Sequence, residues 1–219
     1  MALVLGIDEA GRGPVIGPLV ISGVLIEEEK QEKLKAMGVR DSKLVLPRKR
    51  SALYKKIKAV AKKYKILVVS PKEIDHAVDG NDGLNLNWLE AIKSAEIINA
   101  LQPEKVFLDC PSPNKSAYVS YIRRFLKNKE VEIIAEHKAE SKFPVVAAAS
   151  ILSKVVRDAE IRKLEKKYGK IGPGYQSNHI TKKFIEENWE KHPEIFRKSW
   201  MTWQNHKKAK GQRKLKDFD

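Results

Sequence analysis

The first strongly patterned segment is Leu3-Val4-Leu5-Gly6-Ile7, an unbroken apolar run that stops at Asp8-Glu9 and reads as a buried strand. A second apolar strand is predicted from Pro18 to Ile26, close enough in the chain to pair with the first. Leu53, Tyr54, Ile57, Val60, Ala61 and Tyr64 recur at helical spacing, with lysines between them, which predicts an amphipathic helix with a lysine-rich outer face. Ile66 to Ser70 is a short β-type run stopped by Pro71. Leu86 to Leu101 reads as a helix, Lys105 to Asp109 as a strand halted by Pro111 and Pro113, Ser116 to Leu126 as a helix and Val131 to Ala135 as a strand. Pro144 suits a helix first turn, and the helix continues from Val145 to Lys167. Gly169, Gly172, Pro173 and Gly174 break it, and a last helix follows from Ile180 to Lys191. A leading hairpin followed by alternating strands and helices implies an α/β domain with a mixed sheet flanked by helices. One domain with a helical C-terminal part is expected over residues 1–205, and a basic, flexible tail over 206–219.

Charge narrows the field of partners. The 219-residue chain carries a formal net charge of +15, ordinary for a nucleic-acid binder and unusual for a small-molecule enzyme. Residues 30–65 hold 14 Lys/Arg against two acids, Glu32 and Asp41, and residues 206–216 hold six Lys/Arg and no acid. A merely solvated face would be more evenly balanced, so contact with phosphates is the better reading. The lone cysteine, Cys110, excludes an intrachain disulfide and fits a reducing compartment. No basic stretch precedes the first apolar run, and no segment approaches 18 consecutive apolar residues. A cytoplasmic protein without a membrane span is expected, and nothing calls for more than a monomer.

The candidate chemistry sits where the first strand ends. Adjacent carboxylates at Asp8 and Glu9 need compensation if buried, because an unpaired buried charge costs several kcal/mol or protonates. A hard divalent ion such as Mg²⁺ would supply it, since it is often held by one or two carboxylates plus phosphate. Asp109 ends a later strand, and active sites of α/β sheets lie beyond strand ends. Strand alternation sends Asp8 and Glu9 to opposite faces, so a bend is expected there, permitted by Gly11 and Gly13. Taken alone, Asp109 is equally readable as a turn-starting aspartate before proline.

The run Gly6-Ile7-Asp8-Glu9-Ala10-Gly11-Arg12-Gly13-Pro14 resembles the signature of type 2 ribonucleases H, in particular archaeal ribonuclease HII. The resemblance continues through Asp41-Ser42-Lys43, Leu84-Asn85-Leu86-Asn87, Leu108-Asp109, His137-Lys138-Ala139 and Val145 to Ile151, then Arg157-Asp158, Gly174-Tyr175 and Arg197-Lys198-Ser199-Trp200. It implies an RNase H-like fold and hydrolysis, dependent on Mg²⁺ or Mn²⁺, of RNA paired with DNA. It also implies cleavage 5′ to a single ribonucleotide within duplex DNA, leaving a 3′-hydroxyl and a 5′-phosphate. Four carboxylates would hold two ions: Asp8, Glu9 and Asp109 match directly, and Glu140 stands where the family has aspartate. Asp158 is the alternative fourth acid, readable instead as an exposed residue paired with Lys154 and Arg162. The backbone of Gly11, Arg12 and Gly13 would read the ribose 2′-hydroxyl, with Tyr175 against the following sugar. Lys43, Asn85 and Asn87 are candidate phosphate contacts, and His137 a packing or hydrogen-bonding residue.

Gln212, Leu215 and Phe218 stand at the spacing of a sliding-clamp-binding motif, with its second aromatic position taken by Asp219. Two rivals remain: a metal nuclease acting on DNA alone, which the glycine-arginine-glycine turn argues against, and a non-catalytic basic binding module, which needs no acid cluster.

Overall fold

The computed structural model describes residues 2–40, 45–79 and 84–216, with side chains as far as 209. Contacts divide the chain into two units, one of residues 1–10, 20–68 and 85–157, the other of residues 11–19, 69–84 and 158–219.

The first unit is built on five strands, β1 (Leu3–Ala10), β2 (Leu19–Glu27), β3 (Lys63–Val69), β4 (Lys105–Asp109) and β5 (Glu132–Glu136), in the spatial order β3-β2-β1-β4-β5. The expected hairpin is present: β1 and β2 are antiparallel from Leu3↔Glu27 to Ala10↔Val20. β1–β4 and β4–β5 are parallel, so the sheet is mixed, as the alternation of elements implied.

Alternation along β1 sorts its side chains between two helical layers. Val4 joins Val24, Ile26 and Phe107 in a core closed by Leu34 of α1 (Lys30–Ala36), Leu53 and Ile57 of α2 (Pro47–Val60), and Val145 to Leu152 of α6 (Pro144–Tyr168). Leu5 points the other way. Gly23, on that same face, lies against Ile97 and Leu101 of α4 (Leu86–Leu101), which packs with α5 (Lys115–Arg124). Gly6 marks where α6 presses closest, because a Cβ there would collide with the Val145 carbonyl. This contact brings the N-terminal half of α6 directly onto the strand that carries Asp8.

Two sequence expectations shift. Tyr64, expected on the amphipathic helix, belongs to β3, because α2 ends at Val60 and the Lys62 N–H donates to the Leu25 carbonyl, starting the pairing of a new edge strand. Pro71 opens a helix, α3 (Pro71–Asp79), in addition to ending β3, consistent with the tolerance of proline in a first turn.

The second unit is helical around one loop. It contains α3, the C-terminal part of α6, α7 (His179–Asn188) and α8 (Met201–Lys216). Its core joins Val15 and Ile16 to Ile171, Phe184, Ile185, Ile195, Phe196 and Trp203. α8 extends to Lys216, through residues where the sequence suggests a loose basic tail. Lysine, arginine, glutamine and leucine are all good helix formers, which favours continuation once Trp203 anchors the first turns.

Candidate metal centre

Ile7 of β1 pairs with Leu108 of β4 in parallel register, so the next residue on each chain is an aspartate, Asp8 and Asp109, on the same face. Parallel neighbours bring their C-terminal ends together, and here both ends carry acids. Asp8 is buried, with 5% of its surface exposed. Asp8, Glu9 and Asp109 each present a carboxylate oxygen, and these oxygens all lie within 4.8 Å of one another.

Glu9 joins although β1 stays paired past it. Pairing with β2 continues through Glu9↔Ile21 and Ala10↔Val20. β4, by contrast, stops at Asp109. The Glu9 carboxylate nonetheless comes within 4.8 Å of carboxylate oxygens of both aspartates. The Glu9 N–H also donates to Asp8 Oδ1 at 2.7 Å.

Several groups fix these acids. Ser153 Oγ on α6 donates to the Asp8 carbonyl oxygen at 2.9 Å, and Ser150, one turn earlier, bonds the Asp8 carboxylate. The Ala139 N–H donates to Asp109 Oδ1 at 2.8 Å. Burial pushes the Asp8 pKa well above the ordinary carboxylate value, and the negative charges of Glu9 and Asp109 push it further; the bonds from Ser150 and the Glu9 N–H oppose this. On the opposite face Tyr118 of α5 is buried, and burial raises its pKa well above the usual value, with Glu90 and Glu9 adding to the effect.

A cluster that crowds carboxylate oxygens and buries Asp8 among them fits a hard divalent cation, which takes oxygen ligands and neutralises the repulsion. Asp8, Glu9 and Asp109 would hold it. Glu140 sits on the 3₁₀ turn Ala139–Ser141, 8% exposed, one residue from the Ala139 N–H that holds Asp109, though outside the tight trio of oxygens. Asp158 is half-buried on α6.

The remaining sequence candidates fall in different places. Gly11 has φ +88, a backbone conformation that favours glycine. Gly13 lies against the Tyr175 ring, where a Cβ would come within 3.4 Å of it. Asn85 caps α4, its side chain accepting from the Trp88 N–H at 3.1 Å. His137 Nδ1 lies 3.0 Å from the Cys110 carbonyl oxygen, a hydrogen-bonding place as expected. Lys43 and Phe218 lie outside the described residues; Gln212 and Leu215 lie on the backbone of α8. Sequence reasoning gave no role to Ser150, Ser153 or Arg197. The available signal was two serines three apart in an alanine-rich helix and an arginine beside a tryptophan-containing motif.

A mixed five-stranded sheet flanked by helices, with an acid cluster at the ends of two parallel strands, defines a metal-dependent phosphodiester hydrolase of the ribonuclease H class. The Ribonuclease HII family model matches residues 5–203. The chain is 48% identical over 202 residues to the Ribonuclease HII of Pyrococcus furiosus, covering 90% of this chain and 88% of that one. It superposes on the crystal structure of ribonuclease H2 from Pyrococcus horikoshii OT3 with a TM-score of 0.84 at 42% identity, covering 93% and 96% of the two chains. It is similar also to a chain of the PCNA:RNase HII complex from Archaeoglobus fulgidus, with a TM-score of 0.80 at 35% identity, covering 92% and 95%. The chain belongs to the Ribonuclease HII family. It is a metal-dependent ribonuclease, a hydrolase acting on the RNA of RNA–DNA hybrids.

Proposed function

We propose that this enzyme cuts on the 5′ side of ribonucleotides, both along the RNA strand of a hybrid and at a single ribonucleotide within duplex DNA, leaving a 3′-hydroxyl and a 5′-phosphate. The observation that carries this reading is the meeting of Asp8, Glu9 and Asp109 at the ends of β1 and β4. Two ions, Mg²⁺ or Mn²⁺, are proposed to bind between these acids, Glu140 and the substrate. When bound, such ions polarise the phosphoryl oxygens, lower the pKa of a bound water and neutralise the leaving oxygen.

The chain's own groups prepare that site. Asp8 is oriented from α6 by Ser150 and Ser153, and Asp109 by the Ala139 N–H. The bonds from Ser150 and the Ala139 N–H restrain the two carboxylates before substrate arrives, while Ser153 ties the Asp8 backbone to α6. Glu140, one methylene longer than the family's aspartate, is proposed as the fourth ligand. No histidine base is required, because the two ions would supply the activated water and the charge neutralisation.

Recognition is proposed to rest on the backbone of Gly11, Arg12 and Gly13, whose groups read the 2′-hydroxyl. That hydroxyl is both donor and acceptor and is the same for every base. Tyr175, against Gly13, would pack on the neighbouring sugar. The basic segment 30–65 and Lys43 would contact phosphates on the flanking duplex. Gln212, Leu215 and Phe218 are proposed to engage a sliding clamp, a reading supported by the existence of a PCNA:RNase HII complex for the Archaeoglobus fulgidus relative. The enzyme would act as a monomer in the cytoplasm.

The deciding experiment is cleavage mapping on a DNA duplex with one ribonucleotide, beside an identical all-DNA duplex, with and without chelator. Cutting only 5′ to the ribonucleotide, abolished by chelator, is expected. Equal cutting of both duplexes would favour the DNA-nuclease reading instead.

A further inference from the structure

Arg197 is fully buried, and its guanidinium is spent on backbone. Nε donates to the Gly17 carbonyl at 3.0 Å, one terminal nitrogen to the Arg12 carbonyl at 2.7 Å, and the other to the Gly11 carbonyl at 2.5 Å. Trp200 lies under the guanidinium, 4.9 Å from it to the ring centre, and its indole N–H donates to the Gly13 carbonyl at 3.2 Å. Two side chains from one short segment therefore hold the carbonyls of Gly11, Arg12, Gly13 and Gly17.

The segment carrying them is itself anchored. Asp75 of α3 accepts from the N–H groups of Lys198 and Ser199, each at 2.9 Å, and from the Ser199 hydroxyl at 2.6 Å. The Arg197 N–H donates to the Val15 carbonyl at 2.9 Å, and Ile16 bridges Phe196 in antiparallel fashion. On another side of the same turn the Gly174 carbonyl accepts from the Val15 N–H at 3.0 Å, just before Tyr175.

The peptide unit is planar and trans, so the carbonyl of one residue and the N–H of the next point in opposite directions. No cis peptide occurs among the described residues. With the Gly11 and Arg12 carbonyls turned toward Arg197, the N–H groups of Arg12 and Gly13 are turned away from it. We infer that Arg197 and Trp200 are positioning residues for ribose recognition: they hold the Gly11–Gly13 turn by its oxygens so that its N–H groups face the 2′-hydroxyl. The inference rests on the proposal that this turn reads the ribose. A planar fork that spans three carbonyls at once is the reason for arginine, since a lysine ammonium, a point charge on a flexible stem, does not reproduce that geometry.

The test measures the affinity of a duplex with one ribonucleotide relative to the identical all-DNA duplex, without divalent ion so that nothing is cut. Cleavage kinetics with Mg²⁺ are measured in parallel, on wild type, Arg197→Lys and Trp200→Phe. In both variants the affinity ratio is expected to fall toward one, with all-DNA affinity within about twofold of wild type and kcat/KM on the ribonucleotide duplex down about tenfold or more. A wild-type ratio well above one that both variants retain overturns the assignment of Arg197 and Trp200, even if their activity drops. A wild-type ratio of one overturns ribose reading by the turn itself. Should Arg197→Lys fail to fold, Trp200→Phe, which keeps an aromatic ring and removes one donor, decides alone.

Discussion

The Ala139 N–H donates to Asp109 Oδ1 at 2.8 Å, and so sets Glu140, the next residue, beside an acid that ends β4. The proposed fourth carboxylate therefore sits on a 3₁₀ turn tied to Asp109 through its backbone. Glu140→Ala is expected to lower turnover to about a hundredth of wild type or less, whereas Glu140→Asp is expected to retain activity with an altered Mg²⁺ to Mn²⁺ preference. Steady-state rates at saturating metal check this. Wild-type rates in the alanine variant would transfer the role to Asp158.

Asp109→Asn removes a charge from the centre of the cluster while keeping the side chain's shape. Turnover is expected to fall by about a hundredfold or more. Duplex affinity is expected to be largely preserved and to weaken steeply with salt in both proteins, because phosphate contacts carry it. Binding and cleavage measured on the same duplex separate the two effects. Retained turnover would remove Asp109 from the chemistry.

Asp8 makes a stability statement as well as a catalytic one. Burial and its acidic neighbours raise its pKa in the folded state, so the folded protein binds more protons than the unfolded chain as pH climbs above the ordinary carboxylate range. Stability without metal is therefore expected to decline as pH rises through that window. Asp8→Asn, uncharged throughout, is expected to melt at least about 2–4 °C higher than wild type at neutral pH in chelator. Adding Mg²⁺ is expected to raise the wild-type Tm and to raise that of the variant less. Calorimetry across pH, with and without metal, tests both parts; a lower Tm for the variant in chelator would contradict the account.

Ser153 reaches Asp8 through its carbonyl and Ser150 through its carboxylate. Ser150→Ala is accordingly expected to cost about tenfold in metal affinity or activity. Ser153→Ala is expected to act mainly on stability, at about 1–3 kcal/mol for a buried carbonyl left without its donor. Metal titrations and denaturant melts of the two variants distinguish them. Identical phenotypes would show that the two serines do not divide these tasks.

Deleting residues 212–219 is expected to leave cleavage of short duplexes within about twofold of wild type and to abolish capture by a sliding clamp in a pull-down. Undiminished clamp capture by the truncated protein would end the proposal for Gln212, Leu215 and Phe218.

Much of this molecule was determined by local pattern. The apolar run before Asp8, the strand closed by Asp109 and the alternation of strand with helix all express the 2.0 and 3.6 periodicities that burial imposes on any chain. Charge placement, too, is a property of the chain alone, and it points to nucleic acid whatever the fold. The boundary between α2 and β3 was not legible, because edge-strand pairing to Leu25 outweighed the helical spacing of Tyr64. Nor was the meeting of Glu9 with the two aspartates, which strand alternation alone does not give. The bonds from Ser150, Ser153 and Ala139, and the grip of Arg197 on Gly11 and Arg12, join residues far apart in sequence, 145 positions in the case of Ser153 and Asp8. No periodicity encodes such pairs. They come into being only when α6 settles onto β1 at Gly6, and when Arg197 is buried against the turn whose oxygens it must satisfy.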